Sequence, residues 1–171
     1  MIKVFRKKKN PHLENIEEFI KSNSSEFIYL STGGEGSVYY FKLNKRLILN
    51  TEILQPGEYA LKIFTDKRTE NNKGGLSSKK INKFLLLSKY GLIPKIFIIT
   101  NKYIISKYIY GQTISDFQIE YPEHMDEVNH QIDKLIKVWN KLGFEHDDLS
   151  EDNILISDKG SIYFIDPYIK N

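Results

Sequence analysis

Apolar residues recur every three or four positions in three parts of the chain, which is the spacing of one helical face. Two of these parts begin after asparagine or serine, residues that cap helices, and each part is followed by a polar run or a glycine. The predicted helices are residues 11–21 after Asn10, residues from Ser77 or Ser78 to about Tyr90, and residues 125–142 before Gly143.

Shorter apolar stretches rich in Ile, Tyr and Phe, bounded by turn residues, predict strands. The predicted strands cover residues 27–31, 38–43, 58–65, 95–100, 103–108, 154–157 and 161–165. Strands are grouped before helices instead of alternating with them, and this order favours an α+β fold over an alternating α/β fold.

Composition narrows the class of protein. The 171 residues are 40% hydrophobic, enough for a buried core, and contain no cysteine. The absence of cysteine excludes disulfides, cysteine-bound zinc and thiol catalysis, and it is compatible with a reducing compartment. No apolar stretch reaches the length of a membrane span or a signal peptide, so we expect a cytoplasmic protein, in the producing cell or in a host cell.

Charge is distributed unevenly along the chain. The net charge of +3 is too small to favour nucleic acid as a partner, and we expect the basic run 3–9 to be a solvated end. Between Asn71 and Ser115 there are eight lysines and no acidic residue, whereas carboxylates dominate from Asp116 to Asp152. The two halves could be solvated faces, or the acidic part could hold a divalent cation.

Two segments in the first half of the chain could contact a phosphate. Residues 31–39 place glycines between two predicted strands, where backbone N–H groups could approach phosphates, although such a turn is also common in ordinary hairpins. Lys62 lies in the apolar strand 58–65, where a buried ammonium group needs a partner. A lysine that points outward from this strand is the simpler alternative.

Two segments in the second half carry oxygen donors. Asp148 and Asn153 lie in the acidic run 144–156, and Asp166 follows the strand 161–165. The hairpin between the last two strands should return Asp166 to the side of Asn153, and carboxylate and amide oxygens are ligands that magnesium prefers. For either segment alone, an acidic loop with a capping asparagine is the alternative.

Together the four segments resemble the protein-kinase superfamily, including its eukaryotic-like, RIO-type and aminoglycoside-phosphotransferase branches. The glycine loop G-x-G-x-x-G-x-V is similar to Ser31-x-Gly33-x-x-Gly36-Ser37-Val38, with serine in place of the first glycine. The motifs V-A-I-K, H-R-D-L-x-x-x-N and D-F-G are similar to residues 59–62, 146–153 and 166–168. The order and spacing agree from about Phe27 to Tyr168.

The resemblance implies a nucleotide site for ATP with Mg²⁺. It assigns the phosphates to the glycine loop and to Lys62, and the adenine to apolar side chains and to backbone groups that follow the fifth strand. The residues that this implies for the nucleotide are Ser31, Gly33, Gly34, Gly36, Val38, Ala60, Lys62, Lys107, Ile109 and Leu155.

The resemblance also implies the catalytic and metal residues. Asp148 would take the proton of the attacking hydroxyl, Lys62 would hold the phosphates, and Asn153 and Asp166 would bind Mg²⁺. His146 would orient the loop without acid–base work. By the same resemblance the chain is a single minimal kinase domain over 1–171, with a first lobe to about residue 110 and a reduced second lobe over 111–171.

The sequence departs from the kinase pattern in three places. No glutamate follows Lys62 between Asn71 and Ser115, Asp147 stands where kinases carry arginine, and too few residues follow Asp166 for an activation loop. Similar reductions occur in some bacterial effector kinases and viral kinase-like proteins. An active Ser/Thr kinase-like phosphotransferase, a pseudokinase that binds nucleotide and a small-molecule kinase therefore all stay open, with a protein acceptor docked on the lysine-rich segment favoured.

Overall fold

A five-stranded antiparallel sheet organises the first part of an α+β fold. The computed structural model describes residues 15–33, 36–49, 51–64, 76–144 and 150–165. In chain order the strands are β1 Glu26–Gly33, β2 Gly36–Leu43, β3 Leu47–Leu49, β4 Glu52–Leu54, β5 Gly57–Phe64, β6 Ile96–Ile99, β7 Tyr103–Lys107, β8 Gly111–Thr113, β9 Ile154–Ser157 and β10 Ile162–Phe164. The helices are α1 Ile16–Asn23, α2 Ser78–Lys89, α3 Ile114–Glu120 and α4 Met125–Lys141, with 3₁₀ turns at Pro122–His124 and Glu151–Asn153.

The strand order of the large sheet is β1-β2-β5-β7-β6, and every neighbouring pair is antiparallel. Val38 of β2 lies opposite Lys62 of β5, which in turn lies opposite Ile104 of β7. Side chains directly opposite one another on neighbouring strands share a face of the sheet. The five strands predicted in this part of the chain, and the helix that Ser77 caps, are therefore confirmed.

One face of the large sheet is covered by α1 and the β3–β4 hairpin. Phe41 of β2 and Leu61 of β5 are fully buried there, together with Ile20 of α1. Burying a large apolar side chain contributes about 1.5–3 kcal/mol, so this layer stabilises the sheet from a side that carries none of the candidate site residues in β2 and β5.

The opposite face of the sheet borders a second core. Neighbouring residues of a strand point to opposite faces, so Ile104 joins this second core while Ile105 joins the first. The second core is centred on Trp139 of α4, which is fully buried against Phe144 and Phe164. Strands β8, β9 and β10 form a separate antiparallel sheet beside α4.

Several elements differ from the sequence predictions. The strands β3, β4 and β8 and the helix α3, which are three to seven residues long, are not among the predicted elements. Helix α1 begins at Ile16, where the Asn15 side chain accepts a hydrogen bond from the backbone N–H of Glu18. The predicted cap, Asn10, lies outside the described residues. In the described part of the chain, no helix is long and apolar enough to cross a membrane.

Candidate active site

The glycine turn joins β1 to β2. Gly33 lies opposite Gly36 in the antiparallel register, and the Thr32 hydroxyl donates a 3.3 Å hydrogen bond to the carbonyl oxygen of Gly36. A Cβ on Gly36 would overlap the carbonyl oxygen of Ile63, whereas a Cβ on Gly33 would meet nothing. Glycine at position 36 therefore allows β2 to pair closely with β5. Ser31 is exposed on β1, and Gly34 lies outside the described residues.

Lys62 lies on the face of β5 that borders the second core. Its side chain is half-buried, and its Nζ atom lies 5.4 Å from the centre of the Phe64 ring. A small cavity of about 70 Å³ brings Lys62 together with Phe84 of α2, Phe164 and Ile165. Helix α2 contains no acidic residue, and the side chain that it contributes to this cavity is the phenyl ring of Phe84.

The apolar candidates for adenine contact fall on two sheets. Val38 and Ala60 are half-buried and lie on the same face of the large sheet as Lys62. Val38 is directly opposite Lys62, and Ala60 is opposite Tyr40, which is two positions after Val38 on β2 and so shares its face. Leu155 is half-buried on β9, where it lies opposite Thr113 and Tyr163. The large sheet and the β8–β10 sheet share no strand in the described residues, so these contacts depend on how the two sheets face one another.

Backbone groups at the end of β7 and directly after it differ in their hydrogen-bond partners. The N–H of Lys107 donates to the carbonyl oxygen of Lys95 at 2.8 Å, and the N–H of Tyr108 donates to that of Glu58 at 3.3 Å. Within the described ranges, the backbone of Ile109 makes no hydrogen bond to protein. As far as the described residues show, the N–H and C=O of Ile109 are available to an external group, whereas the N–H of Lys107 is already bonded to Lys95.

Three tyrosine rings pack together beside this segment. The rings of Tyr40 and Tyr108 meet edge to face at 4.7 Å, and those of Tyr108 and Tyr110 at 4.9 Å. Burial, a hydrogen bond with Tyr110 and the nearby charge of Glu58 all raise the pKa of Tyr40. Tyr40 therefore remains a neutral phenol that donates a 3.3 Å hydrogen bond to Glu58.

Glu58 is the charged member of this cluster. Its carboxylate lies 3.4 Å from the Lys42 ammonium group. Partial burial raises the pKa of Glu58, but hydrogen bonds from Lys42 and Tyr110 outweigh this effect and hold the pKa below its ordinary value. Sequence reasoning missed this cluster, because Tyr40 and Glu58 lie on different strands and only the β2–β5 register brings them together.

Asn153 ends a 3₁₀ turn directly before β9. Its backbone N–H donates to the carbonyl oxygen of Ser150 at 2.9 Å, and its own carbonyl oxygen accepts a 2.9 Å hydrogen bond from the N–H of Ile165. Asp148 and Asp166 lie outside the described residues. Among the residues that the structure describes, no group of three or more His, Asp or Glu side chains could hold a metal ion. The proposed metal ligands therefore stay a prediction.

Comparison with known proteins adds evidence on the fold. No family model matches the sequence, and no curated protein matches it. Solved structures do match, among them the apo form of PpkA-294, with a TM-score of 0.50 and 18% sequence identity. The match covers 83% of this chain but only 58% of the PpkA-294 chain. At this identity the similarity concerns the fold alone.

Proposed function

We propose that this protein is a kinase-like phosphotransferase that moves the γ-phosphate of ATP to a hydroxyl group. In this proposal the fold is bilobal, with the large sheet and α2 in the first lobe and the residues after about 110 in a reduced second lobe. The similarity to PpkA-294, a Ser/Thr kinase fragment, supports a kinase-like fold. The chain covers just over half of that structure, so the activity itself is inferred from the site.

The observation that carries the proposal is the hydrogen bond between Asn153 and Ile165. It brings the residue before Asp166 beside the other candidate metal ligand, although the two lie more than ten positions apart in sequence. Ile165 also lines the cavity that contains Lys62. An ammonium group, an amide and a carboxylate would thus converge, and these groups suit a nucleotide triphosphate with its metal ion.

In the proposed site, the glycine turn of β1 and β2 covers the phosphates and Lys62 binds two of them. Val38, Ala60 and Leu155 enclose the adenine, and the free backbone groups of Ile109 hydrogen-bond to it.

Asn153 and Asp166 offer oxygen donors, which fit Mg²⁺ better than a softer metal. When bound, the ion would neutralise negative charge on the phosphates.

Asp148 acts on the acceptor in this mechanism. Its carboxylate orients the acceptor hydroxyl and accepts its proton as the hydroxyl oxygen forms a bond to the γ-phosphorus. The bond from that phosphorus to the bridging oxygen of ADP breaks, and ADP leaves with the electron pair. We favour a protein acceptor docked through the lysine-rich segment 73–107, in the cytoplasm of the producing cell or of a host cell.

Transfer of a labelled γ-phosphate tests the proposal. The full chain is incubated with Mg²⁺ and γ-labelled ATP, with itself, casein and histone as acceptors, beside the variants Asp148→Asn and Asp133→Asn. Asp133 is an exposed carboxylate of α4, so its variant controls for the change of charge. We expect Asp148→Asn to slow transfer about 10²–10⁴-fold, the usual contribution of a general base, and Asp133→Asn to keep the wild-type rate. An Asp148→Asn variant with full rate would remove Asp148 from the mechanism.

A pseudokinase is the second candidate function. Phe84 of α2 lines the Lys62 cavity, and α2 offers no carboxylate to hold the lysine. A protein that binds ATP but transfers no phosphate to any acceptor, itself included, would favour this candidate. A small-molecule kinase is the third candidate function. Transfer of the label to a panel of amino sugars and nucleosides, but not to protein, would favour it.

A further inference from the structure

A groove of about 620 Å³ lies between the helices α3 and α4 and the β8–β10 sheet. We call it the α3–α4 groove. None of the described residues that line it belongs to the candidate active site. Its volume falls within the range of known ligand sites, and it is too large for a single small cation.

The floor of the α3–α4 groove is apolar. Val128 of α4, Ile156 of β9 and Ile162 of β10 line it, and each is a buried member of the second core. Phe117 of α3 extends this surface, and its ring packs against that of Tyr121 with centres 5.0 Å apart. The groove therefore offers a fixed apolar surface to the side chains of a ligand.

The rim of the groove is acidic. Glu127 of α4 and Asp158 of the β9–β10 turn stand on different walls, and both are exposed. Within the described ranges, no lysine or arginine lines the groove. The surrounding segment 111–133 carries six carboxylates and no lysine or arginine. The basic side chain among the described lining residues is that of His124, which lies 3.7 Å from the Glu123 carboxylate. A positively charged ligand therefore meets carboxylates on both walls.

Two amide side chains face the same space. Gln112 of β8 and Gln131 of α4 line the groove and are half-buried. In the described part of the chain, neither side chain makes a hydrogen bond to protein. Half-buried amides without protein partners are suited to the backbone N–H and C=O groups of a peptide, since polar groups out of water need partners.

We propose that the α3–α4 groove binds an extended basic segment of a partner protein, in which arginine or lysine alternates with apolar residues. Successive side chains of an extended segment point to opposite sides, so apolar ones can reach the floor while basic ones reach Glu127 and Asp158. The ring of Tyr121 adds a face on which a guanidinium group can stack. Nucleic acid and anionic lipid are disfavoured because both would face carboxylates. The binding needs no nucleotide and is independent of the proposed transferase activity.

Fluorescence anisotropy with a labelled nonapeptide of alternating arginine and leucine tests this proposal. The groove variant Glu127→Gln with Asp158→Asn is compared with the control variant Glu120→Gln with Asp126→Asn. Both pairs remove two exposed carboxylates, one of them from the first turn of α4, but the control pair lies outside the groove lining. Circular dichroism confirms that both variants are folded, and all titrations are made without ATP.

We expect the groove variant to bind the basic peptide about tenfold more weakly than the wild type. The loss of affinity in the control variant should be less than about half as large. Replacing leucine by serine in the peptide should also weaken binding, because the apolar floor then has no partner. Equal losses in the two variants would show that only general charge attracts the peptide. That result, or a wild type that does not bind the peptide, would overturn the proposal.

Discussion

The backbone N–H of Ile165 donates a 2.9 Å hydrogen bond to the carbonyl oxygen of Asn153. This bond ties the end of β10 to the residue before β9, and it continues the pairing of the two strands by one step. It fixes the backbone of Ile165, the residue directly before Asp166 in the sequence, next to Asn153, the other metal ligand in the proposed site.

The first prediction concerns Asp166. In the proposed site Asp166→Asn removes a negatively charged Mg²⁺ ligand, and loss of even an outer-shell partner commonly weakens metal binding by about 10- to 100-fold. We therefore expect the variant to bind ATP in Mg²⁺ about tenfold more weakly, or worse, by isothermal titration calorimetry. The control Asp133→Asn should bind as the wild type does. Equal wild-type affinity in Mg²⁺ and in EDTA would contradict the metal role.

The second prediction concerns Lys62. A charge-assisted hydrogen bond contributes about 1.5–3 kcal/mol, so Lys62→Ala should weaken ATP binding by about 10- to 100-fold and slow transfer as well. Asp148→Asn, in contrast, should change the rate and leave ATP binding nearly unaltered. Lys102→Ala is the matched control, because Lys102 is exposed in the turn between β6 and β7. If Lys62→Ala and Lys102→Ala bind ATP equally well, Lys62 does not contact the phosphates.

The third prediction compares the two ends of the glycine turn. Gly36→Ala forces a Cβ against the carbonyl oxygen of Ile63, and such overpacking costs about 1–3 kcal/mol of unfolding free energy. Gly33→Ala meets open space and should stay within about 0.5 kcal/mol of the wild type. Urea unfolding measures both values. Similar losses in the two variants would mean that the register of β2 and β5 does not depend on Gly36.

The fourth prediction concerns pH and Glu58. Hydrogen bonds from Lys42 and Tyr110 outweigh the effect of burial and lower the pKa of Glu58 in the folded state, so the unfolded state takes up this proton at higher pH. The stability that Glu58 contributes is complete above the ordinary glutamate pKa and is lost as pH falls through the lower folded value.

Urea unfolding at several pH values measures this effect. Glu58→Gln should be less stable than the wild type at pH 7, and the difference should shrink below about pH 4. Glu52→Gln, at an exposed position of β4, should show no such trend. A constant difference between Glu58→Gln and the wild type across this range would contradict the assigned pKa shift.

Much of the fold follows from local sequence. The apolar spacing from Ser78 to Lys89, with Ser77 as its cap, specifies α2 without reference to the rest of the chain. The same holds for α4 before Gly143, whose positive φ of 75° suits glycine at the end of a helix. Short elements such as β3, β4, β8 and α3 carry too few periods to be recognised locally, and their partners in the tertiary structure decide them.

The sequence by itself determined the α+β class, the five strands of the large sheet and the residue types of the candidate site, because spacing and turn residues act over short distances. The tertiary structure decided which groups meet. Only strand register brings Tyr40 to Glu58, only the packing of α2 sets Phe84 beside Lys62, and only the β9–β10 pairing carries Ile165 back to Asn153. These contacts join residues far apart in the chain, and their geometry depends on long-range packing that no local pattern encodes.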